Sequence, residues 1–219
     1  MIRVVTFDAA GTLFRLTRPP GVTYAECAGA FGYRLDSGRL QKAFRSTWRS
    51  LDPPAESSGP KPDDDRGWWK ELVRQTLLKA GYDLELFDDY FEHVYAAFEQ
   101  VGVWELFPDI PEVLAELRGR GIRLGVISNF DRRLYTVLRH LDVLTAFECV
   151  VISSEIGASK PSGRIFMEAA RRFGVQPEEI LHVGDDAELD AKGALAAGFK
   201  SCLINHESDR MKTVLNLIR

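Results

Sequence analysis

The 219-residue chain has 45% hydrophobic and 27% charged residues and a formal net charge of −4, the profile of a globular protein with room for one domain or a core plus an insertion. The mild acidity and scattered basic residues offer no basic face, so no nucleic-acid partner is expected, and no apolar run approaches the roughly 20 residues that span a bilayer, so no membrane is expected either. Cys27, Cys149 and Cys202 are odd in number and far apart, which argues against a disulfide framework or a zinc site and, with a strand-like start instead of a signal-peptide layout, points to the cytoplasm.

In chain order, Ile2 to Phe7 is a short, nearly continuous apolar run, the pattern of a strand buried on both faces of a parallel sheet. Asp8-Ala9-Ala10-Gly11-Thr12-Leu13 follows directly. An aspartate at the carboxyl end of a parallel strand points into the crevice where open α/β sheets bind ligands. Gly11 permits a tight turn and Thr12 adds a hydroxyl, although the same residues also suit a plain turn.

Residues 15–103 change character. Three stripes at helical spacing are Leu40, Ala43, Phe44 and Trp48; Trp69, Leu72, Val73 and Leu77; and Phe87, Phe91, Val94, Tyr95 and Phe98. Their period marks them as helix core. Asp52 to Arg66 reads as a loop between helices, and its run Asp63-Asp64-Asp65 as a cap for a helix beginning near Trp68 in preference to a metal site.

From residue 104 onward strands and helices alternate. Ile122 to Ile127, Cys149 to Ile152, Ile180 to Val183 and Ser201 to Ile204 read as strands. Pro111 to Gly119, Phe166 to Phe173 and Asp190 to Ala197 read as helices, and the alternation implies βαβ units. The expected architecture is therefore an α/β protein: a Rossmann-like parallel-sheet core, residues 1–14 and 104–219, with an inserted helical cap, residues 15–103. Three more chemical signals fall in the core. Ser128-Asn129 closes a strand with a hydroxyl and amides suited either to an anion or to a cap. Lys160 precedes Pro161, which biases it toward an extended conformation. Asp185, Asp186 and Asp190 gather carboxylates after another strand, an oxygen-rich set suited to Mg²⁺.

Singly each signal is weak. Together, in this order and each after a strand-like run, Asp8, Ser128, Lys160 and the acid cluster resemble the motifs of the haloacid dehalogenase superfamily over the whole chain. The stretch Val126 to Leu134 and the pair Trp68-Trp69 resemble more closely the subfamily of haloacid dehalogenase-like hydrolase domain-containing protein 3. The resemblance implies that Asp8 attacks phosphorus while Ser128 and Lys160 hold the phosphoryl oxygens, with Thr12 and Asn129 also at the substrate. It implies Mg²⁺ between Asp8, the Ala10 carbonyl and Asp185, with Asp186 and Asp190 behind them. The substrate is then a small phosphorylated molecule, and the protein a monomer or homodimer.

Ala10 departs from that pattern, because the related phosphatases carry an aspartate there to protonate the leaving group. A positioned acid–base is worth about 10²–10⁴ in rate, so turnover is expected to be weakened. A Schiff-base lysine, as in the branch with alanine at this position, has no counterpart in Lys61 or Lys70. Two other readings stay open: a metal- and phosphate-binding regulatory protein that has lost turnover, and a metal-free 2-haloacid dehalogenase, against which the acid cluster speaks.

Overall fold

The computed structural model describes residues 1–206 and 211–218. In chain order its elements are β1 (Val4–Phe7), β2 (Phe14–Leu16), α1 (Pro20–Gly29), α2 (Ser37–Ser50), α3 (Arg66–Lys79), α4 (Phe87–Ala97) and β3 (Trp104–Leu106). There follow α5 (Ile110–Gly119), β4 (Arg123–Ser128), α6 (Arg133–His140), β5 (Cys149–Ile152), α7 (Ser153–Ile156) and α8 (Gly163–Phe173). The last part holds β6 (Ile180–Gly184), a π-helical turn at Ala187–Lys192 running into α9 (Gly193–Ala196), β7 (Lys200–Leu203) and α10 (Val214–Leu217). Among the described residues no helix is long and apolar enough to cross a membrane.

The chain divides into two compact units. The first takes Met1–Arg15, Ala55–Asp64 and Glu105–Arg219. Its sheet has the order β5-β4-β1-β6-β7 with every pairing parallel. All four residues of β1 and all five of β6 are buried, as expected for strands covered on both faces. On one face Val4, Ile127, Val151, Ile165, Phe166 and Ala169 form a continuous apolar cluster. Since β1 lies between β4 and β6, successive crossovers diverge from it, and the carboxyl ends of these three strands frame the switch-point crevice of the fold.

The second unit takes Leu16–Pro54 and Asp65–Trp104 and is built from α1 to α4. Asp36 caps α2 by accepting from the Arg39 N–H at 2.6 Å. Tyr24, Leu40, Val73, Leu77, Phe87, Tyr90, Phe91 and Val94 form its core, and the buried Tyr90 hydroxyl donates to the Tyr24 carbonyl at 3.0 Å.

Three details differ from the sequence reading. Ala55–Asp64 groups with the first unit, not with the helical segment: Ser57 N–H donates to the Gly157 carbonyl and Lys61 N–H to that of Ser154, each at 2.8 Å. Of the acidic run, Asp65 stands at the N-cap position of α3 as expected, but Asp64 turns to the first unit, its carboxylate accepting from Ser154 Oγ at 2.6 Å and from Arg132 N–H at 2.9 Å. α1 carries no distinct apolar stripe in the sequence, and it enters its unit with Tyr24, Cys27 and Ala28 buried.

Phe166 is fully buried and meets Phe199 edge-to-face, ring centroids 5.6 Å apart. Phe166→Ala is expected to cost about 3–5 kcal/mol, the usual penalty for emptying an aromatic core site, read as a lower urea midpoint at unchanged slope.

Candidate active site

Four strand ends deliver the polar residues. Asp8 leaves β1, its N–H bonded to the Val183 carbonyl at 2.8 Å. Ser128 ends β4, Asp185 leaves β6, and Lys160 follows β5 and α7. Asp8, Ser128, Lys160 and Asp190 are buried, whereas Asp185 is exposed.

Lys160 Nζ is the hub. It donates to Asp8 Oδ1 at 2.5 Å and to Asp190 Oδ1 at 2.6 Å. Ser128 Oγ stands 3.4 Å from the same Asp8 oxygen. Burial opposes the charged ammonium, but the carboxylates of Asp8 and Asp190 outweigh it and raise the Lys160 pKa. Asp190 is held down: burial opposes its ionisation, and the bonds from His182 and the charge of Lys160 more than offset that. Asp8 shifts the other way, raised chiefly by burial and further by Asp190 and Asp185, with Lys160 pulling against both. Asp185 is also raised, by burial first.

The backbone is shaped to admit this cluster. Gly11 has φ +103°, and a Cβ on it would lie 2.5 Å from Asp185 Oδ2. A Cβ on Gly184 would lie 2.2 Å from Asp190 Cγ. Both positions therefore need glycine for close approach. Asp190 rides on the π-helical turn, in which the Asp190 and Ala191 N–H groups both donate to the Asp186 carbonyl. Such turns often mark functional sites.

The candidates divide into those that meet at the crevice and those that support it. Thr12 Oγ1 donates to Asp185 Oδ1 at 2.9 Å and so steadies that carboxylate. Asn129 is engaged with the backbone of Lys160, its Nδ2 donating to the Lys160 carbonyl at 3.0 Å and its Oδ1 accepting the Lys160 N–H at 2.6 Å. Asp186 caps the turn after β6 by accepting from the Glu188 and Leu189 N–H groups at 2.8 Å. Ala10 is exposed. Two buried residues that the sequence reading passed over are joined to the cluster, His182 through Asp190 at 3.2 Å and Thr6 through His182 at 3.0 Å. The signal for His182 was a lone polar residue inside an otherwise apolar strand.

A metal fits these residues. Ligand oxygens of Asp8, Asp185 and Asp190 lie within 4.8 Å of one another. Carboxylate oxygens suit a hard cation such as Mg²⁺. Three carboxylates against one ammonium also leave two negative charges, the amount a divalent ion carries.

A family profile described as haloacid dehalogenase-like hydrolase matches residues 2–198. Haloacid dehalogenase-like hydrolase domain-containing protein 3 of Homo sapiens is 36% identical over 205 residues, covering 93% of this chain and 82% of that protein. Among solved structures, a HAD phosphatase from Thermococcus onnurineus matches with TM-score 0.67 and 22% identity, covering 95% of this chain and 89% of that one. YfnB of Bacillus subtilis, solved bound to magnesium, matches with TM-score 0.76 and 17% identity over 99% and 98% of the two chains.

Lys160→Met would strand buried carboxylates without their ammonium. It is expected to cost about 3–5 kcal/mol in cation-free buffer, and the loss should shrink when Asp190→Asn is added. Denaturant midpoints of the two single variants and the double variant give that coupling directly.

Proposed function

The chain belongs to the haloacid dehalogenase-like hydrolase family, and from that premise we propose that it is a Mg²⁺-dependent, phosphatase-type hydrolase of a small phosphorylated metabolite. The observation that carries the reading is the Lys160 ammonium bridging Asp8 and Asp190, with Asp185 inside the same 4.8 Å acid cluster. A bound magnesium ion, held by Asp8, the Ala10 carbonyl and Asp185, would neutralise phosphoryl charge.

The steps on this chain's own residues follow from charge and reach. An Asp8 carboxylate oxygen attacks phosphorus, the phosphorus–oxygen ester bond breaks, and an aspartyl-phosphate forms while the leaving oxygen departs with the bonding electrons and takes its proton from solvent. Lys160 and Ser128 take up the negative charge on the phosphoryl oxygens, and water then attacks phosphorus, returning Asp8 and releasing phosphate. Asp8 must be ionised to attack, so the ammonium beside it opposes the upward shift that burial imposes. Asp190 orients Lys160, and Asp186 shapes the turn that carries Asp190. The helical second unit takes the part of the inserted cap in this reading.

Ala10 leaves the departing oxygen without the usual proton donor. Substrates with good leaving groups, such as acyl phosphates or activated esters, are therefore turned over best. The same alanine favours a second reading, a binding or regulatory protein that keeps the pocket without turnover. Against a 2-haloacid dehalogenase stands the Asp185 carboxylate in the same acid cluster as Asp8, which suits a hard cation.

Phosphate release from a panel of phosphorylated metabolites and aryl phosphates decides among these. Hydrolysis is expected to require Mg²⁺ and to vanish in Asp8→Asn; phosphate binding without release would support the regulatory reading, and chloride release from a 2-haloacid in chelator the dehalogenase.

Ala10→Asp is expected to raise phosphomonoesterase activity, by up to about 10²–10⁴, most for the poorest leaving groups. A flat response across a leaving-group series would show that a proton donor is not what the site lacks.

A further inference from the structure

We propose that His182 is a positioning residue for Lys160: a neutral imidazole, fixed as its Nε2–H tautomer, that donates to Asp190 and so holds the carboxylate which steers the ammonium onto Asp8. The argument starts in the sheet. Thr6 of β1 and His182 of β6 are register partners in the parallel ladder, both completely buried. Thr6 Oγ1 lies 3.0 Å from His182 Nδ1, and His182 Nε2 lies 3.2 Å from Asp190 Oδ1. The Phe166 ring stands edge-on to the imidazole, 5.3 Å away at 83°, and closes its remaining apolar flank.

The tautomer follows from what each partner can do. Asp190 is ionised beside Lys160, and an ionised carboxylate only accepts. His182 Nε2 must then carry a proton; a second one on Nδ1 would bury another cation beside Lys160, which shares the same Asp190 oxygen, so Nδ1 is left as the acceptor and the Thr6 hydroxyl donates to it. Asp190 is thereby pinned by three donors. Its Oδ1 accepts from Lys160 Nζ and His182 Nε2, and its Oδ2 accepts from the Asp186 N–H at 3.0 Å. Gly184 leaves the space in which this carboxylate sits. Without the imidazole donor, one edge of the carboxylate is held by Lys160 alone, and the pair can turn together away from Asp8. A histidine serving only the core would gain nothing from a partner inside the ion cluster, and an apolar side chain would avoid the cost of burying two ring nitrogens. Outer partners of this kind commonly change activity by 10–100-fold.

The test is made on the full chain. Nitrogen NMR of the native protein is expected to show His182 protonated at Nε2 only, at neutral pH. An Nδ1–H or doubly protonated ring would overturn the assignment. In His182→Leu the Lys160 ammonium resonance should shift and exchange faster, and kcat should fall about 10–100-fold with KM little changed. His182→Gln, whose amide can still donate to Asp190, should recover most of both. A folded His182→Leu protein with native Lys160 resonance and native kcat would refute the proposal. If that variant does not fold, the native tautomer and the Gln variant decide. Only the kinetic arm rests on the hydrolase reading; the NMR arms stand even if no substrate is turned over.

Discussion

One ammonium shared by two buried carboxylates is the constraint to which the rest of the first unit conforms. Lys160 and Asp190 are almost wholly removed from water, with side-chain exposures of 2% and 3%. Burying ions costs several kcal/mol each and is recovered only where geometry and further hydrogen bonds are good. The surroundings meet that demand with unusual consistency. Asn129 fixes the Lys160 backbone at both its N–H and its carbonyl. Gly184 makes room for Asp190, and the π-helical turn presents it. A fold seeking only stability would replace such a cluster with apolar side chains, so its presence is an argument for chemistry.

The cluster is also unbalanced, which tells what it is shaped to receive. Asp8 and Asp185 both resist ionisation, Asp8 through burial and the charges of Asp190 and Asp185, Asp185 through partial desolvation of its carboxyl and the charge of Asp190, while Asp190 is held ionised by His182 and Lys160. The three carboxylates are thus not equivalent. Asp190 accepts from three protein donors, whereas Asp8 shares the Lys160 ammonium with it and Asp185 accepts from the neutral Thr12 hydroxyl, so the excess negative charge falls on Asp8 and Asp185. A divalent cation between those two would relieve both at once, and Thr12, bonded to Asp185, keeps that carboxylate turned toward the space.

Much of this was legible in the sequence, for identifiable reasons. Strands buried on both faces must be apolar runs, and Cys149 to Ile152 was read with the bounds that β5 has. Polar residues that follow such runs directly have few places to go but the crevice, which marked Asp8, Ser128 and the acids after β6, while Lys160 was named through the chain order of all four and the family resemblance it carries. What escaped were relations between distant segments. No local pattern says that residues 55–64 pack beside Ser154 and Gly157, because loop docking depends on backbone groups that carry no side-chain signature. Nor does one say that Asn129 spends its amide on Lys160. His182 was absorbed into an apolar run, since its partner Thr6 lies 176 positions away and only the sheet register brings the two together.

That register also separates what the protein has kept from what it lacks. The pairing of β1 with β6 sets Thr6 against His182 and Phe7 against Val183. A slip of one residue would turn every side chain of the strand to the opposite face, so Asp8, His182 and through it Asp190 are positioned by the core itself. Position 10 is held differently. It lies past the strand end, exposed, in a turn closed by backbone bonds from Gly11 to Phe14 and from Leu13 to Ala9. No core contact dictates the side chain there. Lys160 could not be lost without leaving buried charge uncompensated, whereas the residue at position 10 can change at almost no cost to the fold. An alanine beside an intact ion cluster is what this asymmetry permits: the side chain at position 10 can drift while the cluster of Asp8, Lys160 and Asp190 is locked by packing.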